Sequence, residues 1–164
     1  MTLFGHPVHP MLIPLPIGAF VFALAALAVH LATGDPFWLA GSYWLSIAGV
    51  VTGLAAAAAG LADWLGIPDD SPNKRIGLIH MVLNVCLVAV FFGAWLFLGG
   101  FGGVAPDAAT GPALVMQIAA ILALAVSGWL GGEMVYGKPA KQPEQAAQPG
   151  HAGPRPGPRR RITA

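Results

Sequence analysis

The sequence predicts an all-α integral membrane protein, a bundle of four transmembrane helices followed by a disordered tail. Of its 164 residues, 56% are hydrophobic and only 9% are charged, and the mean hydropathy is +0.70. A soluble domain carries roughly 25% charged residues, so this composition excludes an ordinary water-soluble surface. Four stretches also reach the roughly 20 apolar residues that are needed to cross a bilayer.

The four predicted spans are separated by turn-forming segments. They cover about residues 11–32, 38–65, 76–98 and 112–136. Each span has to be helical, because an isolated strand would leave its backbone groups unpaired in hydrocarbon. Asp35 and Ser71 each precede a proline at the start of the following span, where they can cap a helix. The glycine-rich segment 99–111 predicts a flexible loop, and no internal repeat is evident among the spans.

The distribution of positive charge predicts the orientation. All eight Lys and Arg residues lie either between the second and third spans or after the fourth span, at positions 74, 75, 138, 141, 155 and 159–161. These two segments share one side of the membrane, which the positive-inside tendency places in the cytoplasm. We therefore expect a bacterial inner-membrane protein with both termini cytoplasmic. Residues 1–137 form the predicted membrane domain, and the Pro/Arg-rich segment 138–164 forms a disordered cytoplasmic tail.

Five ionisable residues fall at the ends of the spans, and alternating spans bring all of them to one face. They are His6, His9, Asp63, His80 and Glu133. Titratable groups near membrane depth are expensive, so a convergent set predicts a functional site. Prolines at positions 7, 10, 14 and 16 favour an extended or broken segment around the first two histidines.

The third span places a polar face toward the bundle. His80 and Asn84 follow helical spacing, and both need partners, since an unpaired polar group in an apolar setting costs kilocalories. Small residues on the second span, such as Gly53 and Gly60, and on the fourth, such as Gly131, let helices approach closely. His30 ends the first span on the opposite face and is not expected to join the set.

Two kinds of cofactor suit these residues. Imidazoles with carboxylates suit a divalent metal ion such as iron, zinc or manganese, held by the five ionisable residues named above. Haem b needs two axial histidines, such as His9 and His80, with Asn84 bordering them and Lys74 or Arg75 near the propionates. His80 is expected to carry more of the binding than His6, because a regular helix fixes its position in advance.

Two other classes of function stay open. The polar set can be an internal hydrogen-bond network of a structural or accessory membrane subunit. A small transporter or proton relay would pass protons through Asp63, His80 and Glu133, with a homodimer supplying further spans. An enzyme is the least supported class, because no nucleophile–base pair or phosphate loop is recognisable, and no basic face predicts nucleic-acid binding.

Four sequence blocks carry a family resemblance. HPVHPMLIPLPIG, GLADWLGIP, KRIGLIHMVLNV and GWLGGEMVYG occur in this order over residues 4–137 and resemble the bacterial membrane family called domain of unknown function 2231. The resemblance implies a four-helix bundle. Some relatives are joined to iron–sulfur ferredoxin-like domains, which implies redox work and an iron–sulfur protein as partner. Many members continue after the tyrosine with a basic residue and a histidine, but here Gly137-Lys138-Pro139 follows, so a role for that histidine is missing.

The topology can be tested with reporter fusions at two positions. A fusion after Tyr136 should report the cytoplasm, and a fusion within 99–111 should report the opposite compartment, because an odd number of spans separates them from each other. Activity of a cytoplasmic and a periplasmic reporter at both positions gives the measurement. The same compartment at both positions would contradict the expectation that the five ionisable residues lie at one face of the membrane.

Overall fold

The computed structural model describes residues 2–3, 6–105 and 108–136. Two-residue strands, β1 (Thr2–Leu3) and β2 (His6–Pro7), pair antiparallel before the helices. The helices are α1 (Val8–Leu12), α2 (Pro14–Thr33), α3 (Pro36–Leu65), α4 (Pro72–Phe97) and α5 (Thr110–Tyr136), with a 3-10 helix at Gly100–Gly102. Four apolar helical segments are long enough to cross a membrane, which confirms the predicted class. The tail predicted at 138–164 lies outside the described residues.

The first span begins earlier than the sequence predicts. His9 lies in α1 and not in an extended segment, because Pro10 sits in the first helical turn, where its missing N–H is not needed. The carbonyl of His9 accepts a hydrogen bond from the N–H of Ile13 at 3.2 Å. Pro14 then interrupts the hydrogen-bond ladder between α1 and α2. The irregular part of the segment therefore ends before His9.

The connections position the helices as their sequences indicate. Asp35 caps α3 by accepting from the N–H of Phe37 at 2.9 Å, and Ser71 caps α4 in the same way at 3.3 Å. The segment after α4 is folded rather than an open loop. Its 3-10 helix offers the carbonyl of Gly100 to the hydroxyl of Tyr43, which donates to it at 2.6 Å.

The two halves of the bundle repeat one another, contrary to the expectation from the sequence. Phe20, Ala23 and Leu27 of α2 recur 71 positions later as Phe91 and Ala94 of α4 and Leu98 at its C-terminal cap, and all six side chains are at most 1% exposed. The ends of α3 and α5, Leu65 and Tyr136, are also 71 positions apart. The helical hairpins α1–α3 and α4–α5 are therefore equivalent units that start on the same side.

A pseudo-two-fold axis relates the two hairpins. The ring of Phe20 stacks on that of Phe91, with centroids 4.0 Å apart and planes inclined by 18°. Ser46 accepts a hydrogen bond of 3.2 Å from Gln117, which again lies 71 positions later. A residue can touch its own counterpart only close to a two-fold axis. The axis therefore runs through the centre of the bundle, where the stacked phenylalanines fill the space between all four spans.

Gly49 should be more sensitive to substitution than other helical glycines, because a Cβ there would overlap the ring of Phe20. Overpacking of this kind costs about 1–3 kcal/mol. Gly18→Ala is the matched control, since nothing lies within 4 Å of its new Cβ, and helix propensity alone favours alanine by about 1 kcal/mol. Thermal unfolding in detergent should show a lower Tm for Gly49→Ala than for Gly18→Ala. Equal Tm values would contradict the packing described for Phe20.

Candidate functional site

A cavity of about 530 Å³ lies between the stacked phenylalanines and the end of the bundle where α3 turns into α4. Among the described residues, its polar lining consists of His9, Asp63, Trp64, His80, Asn84 and Ser127. The remaining lining is glycine, alanine, proline, methionine and larger apolar side chains. This volume is within the roughly 300–1,000 Å³ that is usual for sites of small molecules and cofactors.

His9 is fixed by a backbone carbonyl of α3. Its Nδ1 lies 2.8 Å from the oxygen of Ala56. A carbonyl can only accept, so Nδ1 carries the hydrogen, and Nε2 of the neutral ring carries the lone pair. The ring lies over Gly60, one helical turn after Ala56, where a Cβ would come within 2.9 Å of Cε1. The glycine therefore makes the space through which the imidazole reaches the carbonyl.

His80 repeats this arrangement in the second hairpin. Its Nδ1 lies 2.8 Å from the carbonyl oxygen of Ser127, and its ring lies over Gly131, where a Cβ would be 3.1 Å from Cε1. Each histidine precedes its acceptor by 47 residues and its glycine by 51. Both rings are half-buried. The two imidazoles therefore have the same tautomer and equivalent positions about the pseudo-two-fold axis.

The cavity itself lies across this axis. Much of its lining falls into pairs that are 71 positions apart, namely His9 and His80, Ile13 and Asn84, Pro16 and Leu87, Ile17 and Val88, Ala56 and Ser127, Ala57 and Gly128, and Gly60 and Gly131. Each hairpin thus contributes one wall and one imidazole.

The two walls differ in polarity. The amide nitrogen of Asn84 lies 3.2 Å from Nε2 of His80, 2.7 Å from the carbonyl of His80 and 2.6 Å from the hydroxyl of Ser127. That hydroxyl also lies 3.0 Å from Nδ1 of His80. Ile13 and Ala56 occupy the equivalent positions beside His9. His80 is therefore part of a side-chain network, whereas His9 is bonded to the backbone, and the other polar side chains of its wall are Asp63 and Trp64.

The lysine near the site has a structural task. The ammonium of Lys74 donates to the carbonyls of Trp64, at 3.2 Å, and Ile67, at 2.8 Å, and lies 4.3 Å from the centroid of the Trp64 ring. The indole N–H of Trp64 donates in return to the carbonyl of Lys74 at 3.0 Å. These bonds close the turn between α3 and α4 and leave Lys74 outside the cavity lining.

The structure brings together four of the residues that the sequence singles out. His9, Asp63, His80 and Asn84 line the same cavity, but Glu133 and Arg75 are exposed and do not line it. Glu133 is two positions after Gly131, so it points about 200° around α5 from the glycine that faces His80. Glu133 therefore does not line this cavity.

Two other histidines were considered in the sequence, His6 as a member of the predicted set and His30 as a residue outside it. The side chain of His6 lies outside the described residues. His30 lies at the far end of α2, where its Nδ1 is 2.9 Å from the carbonyl of Asp35. Within residues 2–3, 6–105 and 108–136, no group of three or more His, Cys, Asp or Glu side chains is placed to hold a metal ion.

Sequence reasoning missed the partners of the two imidazoles. It identified Gly131 only as a small packing residue, and it gave no role to the carbonyl of Ser127, which orients His80. The signal that could have found them is the equal separation, 51 residues, from His9 to Gly60 and from His80 to Gly131.

A comparison with protein families supports the resemblance seen in the sequence. A family model described as "Predicted membrane protein (DUF2231)" matches residues 5–141, which include both hairpins and the whole cavity. No curated protein and no solved structure matches the chain.

Substitution of the two contact glycines should move one imidazole each. In ¹⁵N-histidine NMR spectra, His9 and His80 should both show the Nδ1-protonated tautomer. Gly60→Ala should change only the signal of His9, and Gly131→Ala only that of His80, because each new Cβ presses on one ring. Gly128→Ala is the control, since nothing lies within 4 Å of its Cβ. An Nε2-protonated signal for either histidine in the parent protein would contradict the carbonyl bonds.

Proposed function

The chain belongs to the family of membrane proteins called domain of unknown function 2231, and we propose that it holds haem b between His9 and His80 for electron transfer. The observation that carries this proposal is the pair of imidazoles that donate from Nδ1 to backbone carbonyls and line one cavity. A metal-bound histidine usually donates its other ring N–H to a carbonyl or carboxylate, which fixes the tautomer and the ring orientation.

Haem fits these residues better than a bare metal ion does. Structural zinc takes four protein ligands and catalytic zinc three, whereas haem needs only two axial residues from the protein. Within the described residues the bundle offers two paired histidines but no group of three ligands. A bare iron, zinc or manganese site that uses His6, Asp63 and Glu133 is less supported, because Glu133 is exposed.

Asn84 is compatible with coordination by His80. Its amide has two hydrogens but lies within hydrogen-bond distance of three acceptors, of which Nε2 of His80 is the most distant at 3.2 Å. When Nε2 binds a metal, the amide keeps the carbonyl of His80 and the hydroxyl of Ser127. The lone pair can therefore be released without leaving a buried donor unpaired.

The cavity walls suit a flat, apolar macrocycle. Gly128 and Gly132 leave open space in the lining, since nothing lies within 4 Å of a Cβ at either position, and the Phe20 and Phe91 rings close the bundle above the cavity. Haem would supply one-electron redox chemistry, and the protein would supply the axial ligands and exclude water. In the orientation that the positive residues predict, the site lies near the cytoplasmic face of the bacterial inner membrane. Exposed Arg75 is then proposed to meet a propionate, and an iron–sulfur protein to exchange electrons there.

A structural role is the second candidate. It is favoured by the bonds of His80, Asn84 and Ser127, which join α4 to α5 without any ligand. A transporter or proton relay is less favoured. The internal repeat suits such a protein, but the stacked pair of Phe20 and Phe91, at 1% and 0% exposure, blocks the centre of the bundle.

Removal of either paired histidine should abolish haem binding. Protein is produced in cells supplied with haem precursor, and the ratio of haem to protein is measured after purification, together with the Soret band. His9→Ala and His80→Ala should each lose haem, because each removes one axial ligand. His6→Ala should weaken binding or leave it unchanged.

His30→Ala is the matched control. This histidine has the same Nδ1 bond to a carbonyl but lies at the opposite end of the bundle, so its loss should not affect haem content. A parent protein that takes up no haem under any loading condition would favour the structural network. Full haem content in His80→Ala would contradict the proposed ligand pair.

A further inference from the structure

We infer that the cavity exchanges its occupant with the bilayer through a gap between α2 and α5, and that this occupant is an uncharged, membrane-dissolved molecule with an apolar body and a hydrogen-bond-donating head. The inference goes beyond the proposed haem site, because it concerns what the lipid supplies to the cavity when no haem is bound. It starts from the internal repeat. The interface of α2 with α5 is the counterpart of the interface of α4 with α3, so a difference between the two has to come from residues that differ between the hairpins.

The interface between α3 and α4 is closed. Gly53 lets α4 come so near that a Cβ at this glycine would lie 2.9 Å from the side chain of Val88. Val88 is accordingly only 8% exposed. The turn between the two helices adds further bonds, since the indole N–H of Trp64 and the ammonium of Lys74 both donate across it. The cavity is therefore sealed on this side.

The interface between α2 and α5 is open at the same cavity. The counterparts of that glycine and valine are Leu124 and Ile17, so the close approach is not repeated. Ile17 lines the cavity and is nevertheless 38% exposed. Gly128 also lines the cavity and is exposed, and neither it nor Gly132 one turn later would have a neighbour within 4 Å of a Cβ. Residues that are exposed and also belong to the lining mark an opening between these two helices.

The opening faces hydrocarbon and not water. Gly128 precedes the end of α5, at Tyr136, by about 12 Å of helix. The 27 residues of α5 extend over about 40 Å, and the hydrocarbon core is only about 30 Å thick, so roughly 5 Å of helix projects at each end. The gap therefore lies within the apolar layer, and a molecule that passes through it comes from the lipid. A charged group is expensive at this depth, which favours an uncharged occupant.

The polar lining determines the head group of this occupant. The Nδ1 atoms of His9 and His80 and the indole N–H of Trp64 already donate to backbone carbonyls. The two amide hydrogens of Asn84 have acceptors at 2.6 and 2.7 Å. A carboxylate has about four acceptor sites, so Asp63 can take a hydrogen bond from a ligand in addition to its contacts within the protein. The ligand therefore has to bring the donor, and the described lining has no Lys or Arg that would favour an anionic head.

The experiment labels the full chain with photoreactive lipids. Haem-free protein is reconstituted into phosphatidylcholine vesicles that contain a long-chain alcohol with a diazirine on its chain, and mass spectrometry locates the labelled residues after illumination. Two further probes carry the same chain with a methyl ether or a sulfate as head. The alcohol should label Leu87 and Leu124 in the cavity, the ether should label them more weakly, and the sulfate should not label them. All three should label Phe22, which is 64% exposed and serves as the reference for lipid contact.

Closure of the gap is tested with Gly128→Leu, because open space at this Cβ admits the larger side chain without displacing a helix. Ala57→Leu is the matched control, since it puts the same side chain at the equivalent position of the closed interface and in the same cavity lining. Gly128→Leu should lose the label in the cavity and keep the label at Phe22, whereas Ala57→Leu should keep both. Gly132→Leu copies Leu61 of the first hairpin and should act like Gly128→Leu. Thermal unfolding checks that each variant is folded.

Four results overturn the inference. Cavity labelling that persists in both glycine variants excludes the gap, and its loss in Ala57→Leu as well shows that cavity volume alone controls occupancy. Cavity labelling by the ether or the sulfate that equals labelling by the alcohol excludes the donor head. A parent that is labelled at Phe22 but not in the cavity takes no occupant from the lipid. Because the vesicles contain no haem, that result leaves the haem content of loaded protein, and with it the proposed function, to its own test.

Discussion

Two hydrogen bonds from imidazole to helix backbone determine how the rest of the bundle is arranged at the cavity. Inside a membrane, a helix carbonyl is already paired with the N–H four residues later, so a second donor can reach it only where the neighbouring helix comes very close. Gly60 and Gly131 provide that approach, and the Nδ1 atoms of His9 and His80 supply the donors. Each bond fixes the tautomer, the ring orientation and the separation of the two helices in its hairpin. In lipid, where apolar contacts alone give little preference for one neighbour, such bonds specify the pairing.

The arrangement of the hairpins about the pseudo-two-fold axis places the two imidazoles in one cavity. Because Phe20 and Phe91 meet on the axis, the hairpins cannot slide past each other without separating a pair of fully buried rings. The imidazoles, which lie nearer the ends of the helices, are consequently held on opposite walls of a shared space. Gly53 lets α3 approach Val88 of α4 closely, because a Cβ at this position would come within 2.9 Å of the Val88 side chain. Packing at the centre of the bundle thus creates the cavity at its end, and the histidines give the cavity its chemistry.

The sequence predicts the class of the fold and part of the site, for physical reasons that also explain what it leaves out. Length, apolar runs and caps such as Asp35 follow directly from the bilayer and from helix ends, so the four helices are predictable. The acceptors of the two histidines are not, since a backbone carbonyl has no side-chain signature. The repeat is obscured because lipid-facing positions tolerate many apolar residues, and few residues, such as Phe20 and Phe91 or Gly60 and Gly131, are the same in both copies. Glu133 is expected in the cavity but does not line it. The depth of a residue along a helix is easier to predict from the sequence than the side of the helix on which it lies.

The repeat also explains how two imidazoles can be held in the same way while their neighbours differ. Two identical hairpins would give two equivalent imidazoles, and any ligand between them would be held equally by both. Replacement of Ile13 by its polar counterpart Asn84, and of Ala56 by Ser127, alters one wall without disturbing the backbone bonds that orient either ring. The scaffold stays symmetric because its packing depends on Phe20, Phe91 and the contact glycines. The polarity of each cavity wall depends on the other residues just named, which differ between the two hairpins. The orientation of the imidazoles and the polarity around them are thereby controlled by different residues.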